Sequence, residues 1–374
     1  MKRMLFLLVA ALAVMTGCVK RDAGVIVYTP REKLFMRLDS LYLRGVMYGH
    51  QDDTFYGATW QWESGRSDTY ELVGDYPAVM GFELSGLEVS DERNYFGVPF
   101  DSIKAAAIRH YGNGGVIAFS WHARNPSTNG DAWDVSDPNT VRSILPGGKN
   151  HDRFKQRMVK LATFLKELKL EDGRSIPFIF RPFHEYNTAW FWWGEPYCTD
   201  EEFRALWRMF HDYMDQQLPT NIIWSFSSNL YGNWTMANFL RRYPGNDIVD
   251  MMGCEAYQLD DDLEFSNSLK SDLAFLDKFA HDNTKLLAIT ECGINSSARP
   301  DWWSSVLMPL LEPYAVSYIL AWRNWQNKCY GPSKDEPTAE DFLRLYEQHK
   351  LLFMLDIRPG GIEFGRDASE LLWL

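Results

Sequence analysis

The chain has 374 residues, with 38 Lys and Arg against 50 Asp and Glu, which gives a formal net charge of −12. This acidic balance argues against nucleic acid as a partner, because binding a polyanion needs a basic surface that releases counterions. The content of 46% hydrophobic and 24% charged residues is typical of a globular protein and not of a disordered one.

The N-terminus has the features of an export signal. Lys2 and Arg3 precede the apolar segment Met4–Met15, which is shorter than the roughly 20 residues needed to span a bilayer. The segment runs into Met15-Thr16-Gly17-Cys18, which resembles a bacterial lipobox. We therefore predict a signal peptide at residues 1–17, lipidation of Cys18, a tether over residues 18–28, and an outer-membrane lipoprotein on the periplasmic or cell-surface side. The alternative is an ordinary secretory signal with a chance cysteine.

Eight short apolar runs alternate with helical patterns along the rest of the chain. The runs are Leu43–Gly49, Ala78–Phe82, Gly115–Trp121, Pro177–Phe183, Ile222–Phe226, Ile248–Cys254, Leu286–Thr290 and Val316–Trp322. They are mostly continuously apolar and not alternating, as expected of strands that are buried on both faces of a parallel sheet. The helical stretches are Asp101–His110, His151–Leu168, Asp200–Gln217, Ser268–His281 and Thr338–His349. This alternation predicts an α/β fold, a single-domain (β/α)8 TIM barrel over residues 29–374.

Polar and aromatic residues recur where the apolar runs stop. They are His50, Gln51, Glu83, His122, His184, Glu185, Ser227, Tyr257, Glu291, Trp322 and Arg323. In a (β/α)8 barrel these positions converge on the C-terminal rim, where active sites form. The long connection Ala123–Lys149, which holds Trp133, is expected either to form a wall of the cleft or to be a mobile surface loop. The 15 tryptophans exceed what packing needs, and flat ligands such as sugar rings are one reason to keep indoles at a cleft.

Two glutamates are the candidate catalytic residues. Glu185 follows a strand and is surrounded by aromatic residues, and apolar neighbours disfavour an ionised carboxylate, which suits a general acid. Position 188 is Thr, so His184-Glu185 is not a zinc-protease motif. Glu291 ends another apolar run, with Gly293 expected at a tight turn. If the strands are the fourth and seventh, the carboxylates face each other across the barrel mouth, and a separation of about 5–5.5 Å would define a retaining glycosidase. A structural ion pair is the alternative for Glu185.

The chain resembles glycoside hydrolase family 26, the β-mannanases with catalytic glutamates on strands four and seven of a (β/α)8 barrel. The resemblance rests on Arg181-Pro182-Phe183-His184-Glu185 with Trp190-Phe191-Trp192-Trp193-Gly194, on Ser120-Trp121-His122, on Tyr243-Pro244-Gly245-Asn246-Asp247 with Val249-Asp250, and on Thr290-Glu291-Cys292-Gly293. It implies that Glu185 is the acid/base and Glu291 the nucleophile.

The resemblance also implies roles for other residues. His184, Trp190 and Tyr257 would line the −1 sugar, whose anomeric carbon is attacked, and His122 would lie close to it. Trp322 and Arg323 would hold the −2 sugar. Arg181 would sit beneath the nucleophile and keep it ionised. Family members often have Asp at the position of Glu255, so we expect altered binding of the distal sugar.

The resemblance implies a retaining endo-β-1,4-mannanase that acts on mannan, glucomannan or galactomannan without a metal or organic cofactor, and we expect a monomer. Alternatives are hydrolysis of β-1,3/1,4-glucan or β-1,3-xylan, mannobiose-releasing exo action, a metal-dependent hydrolase, and a non-catalytic surface glycan-binding lipoprotein. Cys198, Cys254, Cys292 and Cys329 lack the Cys-x-x-Cys spacing of zinc sites. They allow three disulfide pairings in an exported chain, although Cys254 and Cys292 lie in strand-like runs that favour buried free thiols.

Overall fold

The structure, a computed structural model, describes residues 27–259, 262–294, 299–326 and 328–358. The predicted signal peptide, Cys18 and most of the tether lie outside these ranges, and those predictions stay predictions. Within the described ranges, no helix combines the length and the apolar composition that crossing a bilayer requires.

Eight parallel strands close into a barrel, which confirms the predicted (β/α)8 fold. They are β1 (Val46–Gln51), β2 (Val79–Glu83), β3 (Val116–Trp121), β4 (Phe178–Pro182), β5 (Ile222–Asn229), β6 (Met251–Gln258), β7 (Leu286–Ile294) and β8 (Val316–Ala321). Each strand pairs with its successor in the chain, and β1 also pairs with β8, with Met47 opposite Tyr318. The fourth and seventh strands therefore carry the two candidate glutamates to the same rim.

Three short strands lie outside the barrel wall. β9 (Asn324–Trp325) and β10 (Lys328–Cys329) form an antiparallel hairpin directly after β8. β11 (Leu351–Leu352) adds in parallel to the lower end of β1. The C-terminal segment therefore packs on the barrel in its described part, which ends at residue 358.

The helices include all five predicted ones. The described residues form α1 (Pro30–Leu41), α2 (Asp68–Val73), α3 (Phe100–Gly112), α4 (Thr140–Ile144), α5 (His151–Lys166), α6 (Asp200–Gln217), α7 (Met236–Arg242), α8 (Asp262–Asp282), α9 (Met308–Leu311), α10 (Ala339–Glu347) and α11 (Met354–Ile357). A single π-helical turn at Trp303–Leu307 leads into α9. Helix α6 begins at a capping box formed by Thr199 and Glu202, which satisfies two otherwise unpaired backbone N–H groups.

Helix α1 covers the bottom of the barrel. Thr29 caps it together with Glu32, and Leu34, Leu38 and Leu41 form a buried stripe at helical spacing. This stripe packs against the inward-facing residues of the strands, which include Met47, Val79, Ile179, Ile223, Met251 and Leu320. The barrel interior is thus a packed apolar core that closes the N-terminal end and leaves the C-terminal rim for polar residues.

Candidate active site

A cleft of about 550 Å³ opens at the C-terminal rim of the barrel. It brings together all eight side chains assigned from the sequence to catalysis or substrate binding, namely His122, His184, Glu185, Trp190, Tyr257, Glu291, Trp322 and Arg323. The cleft wall also contains residues to which the sequence analysis gave no role, namely Tyr95, Phe96, Phe191, Trp325, Lys328 and Tyr330. The chemical roles of the eight stay predictions, whereas their convergence is a structural fact.

Glu185 lies just beyond β4 in a strained backbone conformation. Its φ angle is 51° and that of Phe183 is 48°, values that non-glycine residues seldom adopt and that occur preferentially at functional sites. The Trp190 indole N–H donates to one carboxylate oxygen at 2.7 Å, and the Asn229 side-chain amide donates to the other at 2.8 Å. Two neutral donors therefore fix the carboxylate, which is 7% exposed at the cleft floor.

The aromatic cluster after Glu185 divides between packing and cleft. Trp192 and Trp193 are fully buried, and the Trp193 indole N–H donates to the His184 carbonyl at 2.7 Å. Phe191 stacks on Trp193 with ring centroids 4.5 Å apart. Trp190, in contrast, is 44% exposed and faces the cleft. Trp192 and Trp193 therefore serve packing, whereas Trp190 is available to a ligand in the cleft.

Glu291 lies inside β7 and not after it. Its carboxylate pairs with the Arg181 guanidinium through one oxygen and accepts a hydrogen bond of 2.6 Å from the Tyr257 hydroxyl through the other. The expected tight turn at Gly293 is wrong, since β7 continues to Ile294. The glycine is needed instead for a close approach, because a Cβ at Gly293 would lie 2.6 Å from the Cβ of Tyr330.

The surroundings of Glu291 oppose each other electrostatically. Burial raises the pKa of Glu291, and the nearby charge of Glu185 acts in the same direction. The Arg181 guanidinium and the Tyr257 hydrogen bond act in the opposite direction. Burial prevails and the pKa of Glu291 is raised overall, while Arg181 and Tyr257 favour the ionised form that a nucleophile needs.

Glu255 lies beside the two candidate glutamates, and the expectation that it alters binding of the distal sugar stays a prediction. It is fully buried in β6, pairs with Arg181, and accepts a hydrogen bond of 2.8 Å from the Ser227 hydroxyl. Burial raises the pKa of Glu255 well above its ordinary value, although Arg181 opposes this. Glu255 thus shares Arg181 with Glu291 beneath the cleft floor.

A buried chain of hydrogen bonds runs from β2 to the cleft and consists of Glu83, His122 and His184. Glu83 accepts hydrogen bonds from the His122 imidazole at 2.8 Å, the His122 backbone N–H at 2.7 Å and the Ser120 hydroxyl at 2.6 Å. Burial raises the pKa of Glu83, but the charge of His122 and these hydrogen bonds outweigh it and lower the pKa to about 2. Glu83 therefore supports His122, which lines the cleft.

The pKa values of the two histidines in this chain shift in opposite directions. Burial lowers the pKa of His122, but Glu83 outweighs burial and raises it above its ordinary value. Burial lowers the pKa of His184 well below its ordinary value, and the charges of Arg181 and His122 add to this effect. The two Nε2 atoms lie 3.2 Å apart, within hydrogen-bonding distance of each other. This arrangement fixes the His184 ring beside Glu185.

Aromatic rings surround His122 in the cleft wall. Trp133, from the connection 123–149, stacks on the His122 ring with centroids 5.2 Å apart, which confirms that this connection contributes a wall. Trp322 donates its backbone N–H to the Cys292 carbonyl at 2.8 Å. The Arg323 guanidinium lies 4.0 Å above the Phe96 ring, so the β2–α3 connection and the segment after β8 touch each other.

Only one set of described residues has the geometry of a cation site. Ligand atoms of His184, Glu185 and Glu255 lie within 4.8 Å of one another. Each of these side chains already has partners within the protein, so the group fits a hydrogen-bonded catalytic cluster better than a set of free ligands. Cys198, Cys254, Cys292 and Cys329 are all free thiols, and the predicted burial of Cys254 and Cys292 is confirmed.

The comparisons with known proteins agree with this geometry. The profile of glycosyl hydrolase family 26 matches residues 29–335. The chain is 29% identical over 313 residues to a mannan endo-1,4-beta-mannosidase of Bifidobacterium adolescentis. The aligned region covers 77% of this chain and 31% of that relative. It therefore spans about a third of that relative's length. A mannan endo-1,4-beta-mannosidase of Bacillus subtilis strain 168 is 27% identical over 308 residues, with 77% and 76% of the two chains covered.

The fold agrees with solved structures as well. A GH26 beta-mannanase from Bacteroides ovatus superposes with a TM-score of 0.84 at 36% sequence identity. The superposition covers 87% of this chain and 95% of that chain.

Proposed function

Because the chain belongs to glycosyl hydrolase family 26, we propose that it is a retaining endo-β-1,4-mannanase that acts on mannan, glucomannan or galactomannan. The observation that carries this proposal is the contrast between two glutamates on strands four and seven. Glu185 is held by the neutral donors Trp190 and Asn229. Glu291 is held by the cation Arg181 and the Tyr257 hydroxyl. Glu185 faces the cleft between two neutral donors, where it can exchange a proton with a substrate, whereas Glu291 beside a guanidinium suits a charged nucleophile.

The mechanism follows from these two settings. Glu185 protonates the glycosidic oxygen while Glu291 attacks the anomeric carbon and forms a glycosyl-enzyme. Glu185 then removes a proton from water, which attacks the same carbon and releases a sugar of the original anomeric configuration. Arg181 holds Glu291 in place during attack, and His184 lines the cleft beside Glu185. The exposed face of Trp190 provides a stacking surface for a pyranose.

The substrate assignment rests on the named relatives and is tested by product analysis. We expect Glu185→Gln and Glu291→Gln each to abolish release of reducing sugar from mannan while the circular dichroism spectrum is unchanged. The control is Glu167→Gln, which removes a surface carboxylate paired with Lys104 and should retain full turnover. Proton NMR of the first product should show the β-anomer. Near-normal turnover in either active-site variant, or an initial α-anomer, would disprove the assignment.

One observation favours mannobiose release as a second candidate. The contact between Arg323 and Phe96 brings two connections together beside Trp322, at the end of the cleft predicted to hold the −2 sugar. Little room beyond two sugars on that side would favour release of disaccharides from chain ends. A time course on linear mannan separates the two modes, because endo action first yields a range of oligosaccharides and exo action yields mannobiose from the start.

We also propose that the protein is exported and anchored to the outer membrane through lipidated Cys18. The support is the charged start, the short apolar segment and the sequence Met15-Thr16-Gly17-Cys18.

A further inference from the structure

Arg323 lies in a cage of aromatic rings. Its guanidinium carbon is 4.0 Å from the centre of the Phe96 ring, 5.4 Å from that of Trp325 and 5.5 Å from that of Tyr56. Among the described residues, no carboxylate oxygen lies within 4.0 Å of its nitrogen atoms. Aromatic faces attract a cation but do not fix its rotation, so hydrogen-bonding groups must set the direction of its N–H donors.

Tyr56, one of the three rings around Arg323, forms a buried hydrogen-bonded pair with Asp52. The Tyr56 hydroxyl donates to Asp52 at 2.7 Å, and both residues are almost fully buried. The other Asp52 oxygen is buried and has no hydrogen-bond partner among the described residues. The Asp52 backbone is fixed as well, because its N–H donates to the Gly81 carbonyl at 2.9 Å and its φ angle is 55°.

The charges of this group are linked. The pKa of Asp52 is raised to about 7 overall, because burial outweighs the Tyr56 hydrogen bond and the positive charge of Arg323, which both lower it. Burial and the charge of Asp52 raise the pKa of Tyr56, and Arg323 again opposes them. Arg323 therefore interacts electrostatically with both Asp52 and Tyr56, although it lines the cleft and they are buried. A buried carboxylate with an unused oxygen is costly, and such a cost is typical of a group retained for function.

We propose that Asp52 and Tyr56 are positioning residues that orient Arg323 for binding the sugar on the non-reducing side of the scissile bond. This inference rests on the proposed function. The Tyr56 hydroxyl donates to Asp52 and accepts from the Arg323 guanidinium, which turns the remaining Arg323 N–H groups toward the cleft. Asp52 and Tyr56 do not touch the substrate, and they act on affinity through Arg323 alone.

The arrangement makes affinity depend on pH. Asp52 is faced by Tyr56, Arg323, Glu83 and His50, and His50 is paired with Asp53 at 2.9 Å. When Asp52 takes up a proton, Arg323 loses the negative charge that orients it. We therefore expect the affinity for manno-oligosaccharides to fall as the pH decreases from 8 to 6. Asp52→Asn removes this dependence but leaves His50 and Glu83 in place, so it isolates the contribution of Asp52.

The experiment measures mannotriose binding by calorimetry in the inactive Glu185→Gln background. We expect Asp52→Asn, Tyr56→Phe and Arg323→Met each to weaken binding about ten-fold at pH 8, as loss of one charge-assisted hydrogen bond predicts. In the active enzyme, Asp52→Asn and Tyr56→Phe should raise KM and change kcat less than two-fold. Asparagine tolerates the left-handed backbone at position 52. Tyr243→Phe, which removes a hydroxyl bonded to Asn246 far from the cleft, is the control and should bind like the parent.

A double-mutant cycle in thermal unfolding tests the link without any sugar. The shifts in Tm for Asp52→Asn and Arg323→Met should be non-additive by about 2 °C. Additive shifts, or unchanged mannotriose binding in both Asp52→Asn and Tyr56→Phe, would overturn the proposal. If the cycle shows coupling but the parent neither binds nor cleaves any mannan, the proposed function fails and the positioning of Arg323 by Asp52 stands. If Asp52→Asn fails to fold, the same pH series in Tyr56→Phe decides the case, because that variant breaks the link between Asp52 and Arg323 and should lose the pH dependence.

Discussion

The Tyr257 hydroxyl donates a hydrogen bond of 2.6 Å to the Glu291 carboxylate, on the oxygen that Arg181 does not contact. The two donors come from different strands, since Tyr257 lies in β6 and Arg181 in β4. Each oxygen of the buried Glu291 carboxylate is therefore held by a donor from a different strand. Such fixed donors stabilise the charged form of a carboxylate without the reorganisation that water would require.

Removal of the Tyr257 hydroxyl should shift the pH profile of the enzyme. The hydrogen bond from Tyr257 lowers the pKa of Glu291, so Tyr257→Phe raises it. Because the nucleophile must be ionised, the acidic limb of kcat/KM should move to higher pH, with about a ten-fold loss at neutral pH. The measurement is kcat/KM on mannan between pH 4 and pH 9. Tyr243→Phe is the control, and an acidic limb at the same pH in parent and Tyr257→Phe would contradict the prediction.

Glu83→Gln should destabilise the protein, because it removes the buried carboxylate that His122 contacts at 2.8 Å. We expect a loss of about 3 kcal/mol in the free energy of unfolding at pH 7. Since the pKa of Glu83 is lowered to about 2, the stability it contributes is present above its ordinary pKa and is lost as the pH falls toward 2. The difference between parent and variant in urea unfolding should therefore shrink below about pH 4.5.

The matched control for Glu83 is Glu167→Gln, a half-exposed glutamate that should change the free energy of unfolding by less than about 1 kcal/mol. A destabilisation by Glu83→Gln that is the same at pH 7 and pH 3 would show that packing, and not charge, is responsible.

Asp52→Asn should stabilise the protein at alkaline pH. Burial raises the pKa of Asp52 to about 7, so the stability associated with this group is full at low pH and is lost as the pH rises through 7. The variant lacks that loss, and the gain at pH 8 should be up to about 4 kcal/mol, because each pKa unit corresponds to about 1.4 kcal/mol. Urea unfolding at pH 5 and pH 8 measures it. A variant no more stable than the parent at pH 8 would refute the prediction.

Cys18→Ser should release the protein from the membrane. We expect the parent to sediment with the outer-membrane fraction of a Gram-negative host and to incorporate labelled palmitate, because an acylated cysteine anchors the chain. The variant should appear in the soluble fraction with unchanged mannan hydrolysis per molecule. Cys198→Ser keeps the predicted lipobox intact and should remain in the membrane fraction. Equal palmitate labelling of parent and Cys18→Ser would disprove lipidation at this residue.

The parts of the fold that depend on local signals were predictable. Helix α6 begins and ends at the predicted residues because its capping box and its apolar stripe are both contained in the sequence of the helix. Helix α1 was missed, since only Leu34, Leu38 and Leu41 mark its buried side and the charged residues between them hide the pattern. Its role in closing the barrel is visible only in three dimensions.

The ends of β6 and β7 show why part of the site was not predictable. The apolar runs were expected to stop at Cys254 and Thr290, because a charged residue follows each of them. Both strands continue past Glu255 and Glu291 because Arg181, distant in sequence, pairs with both carboxylates. Asn229 was missed for a similar reason, because β5 was expected to end at Phe226 and extends three residues further.

Trp190 combines two tasks in one side chain. Its N–H edge holds Glu185, and its exposed ring is the surface on which a pyranose would stack. A bound sugar therefore covers the same indole that orients the acid, and it shields their hydrogen bond from competing water. Occupancy of the cleft and readiness for proton transfer are in this way coupled through one residue, so that an empty enzyme keeps its acid more hydrated than a loaded one.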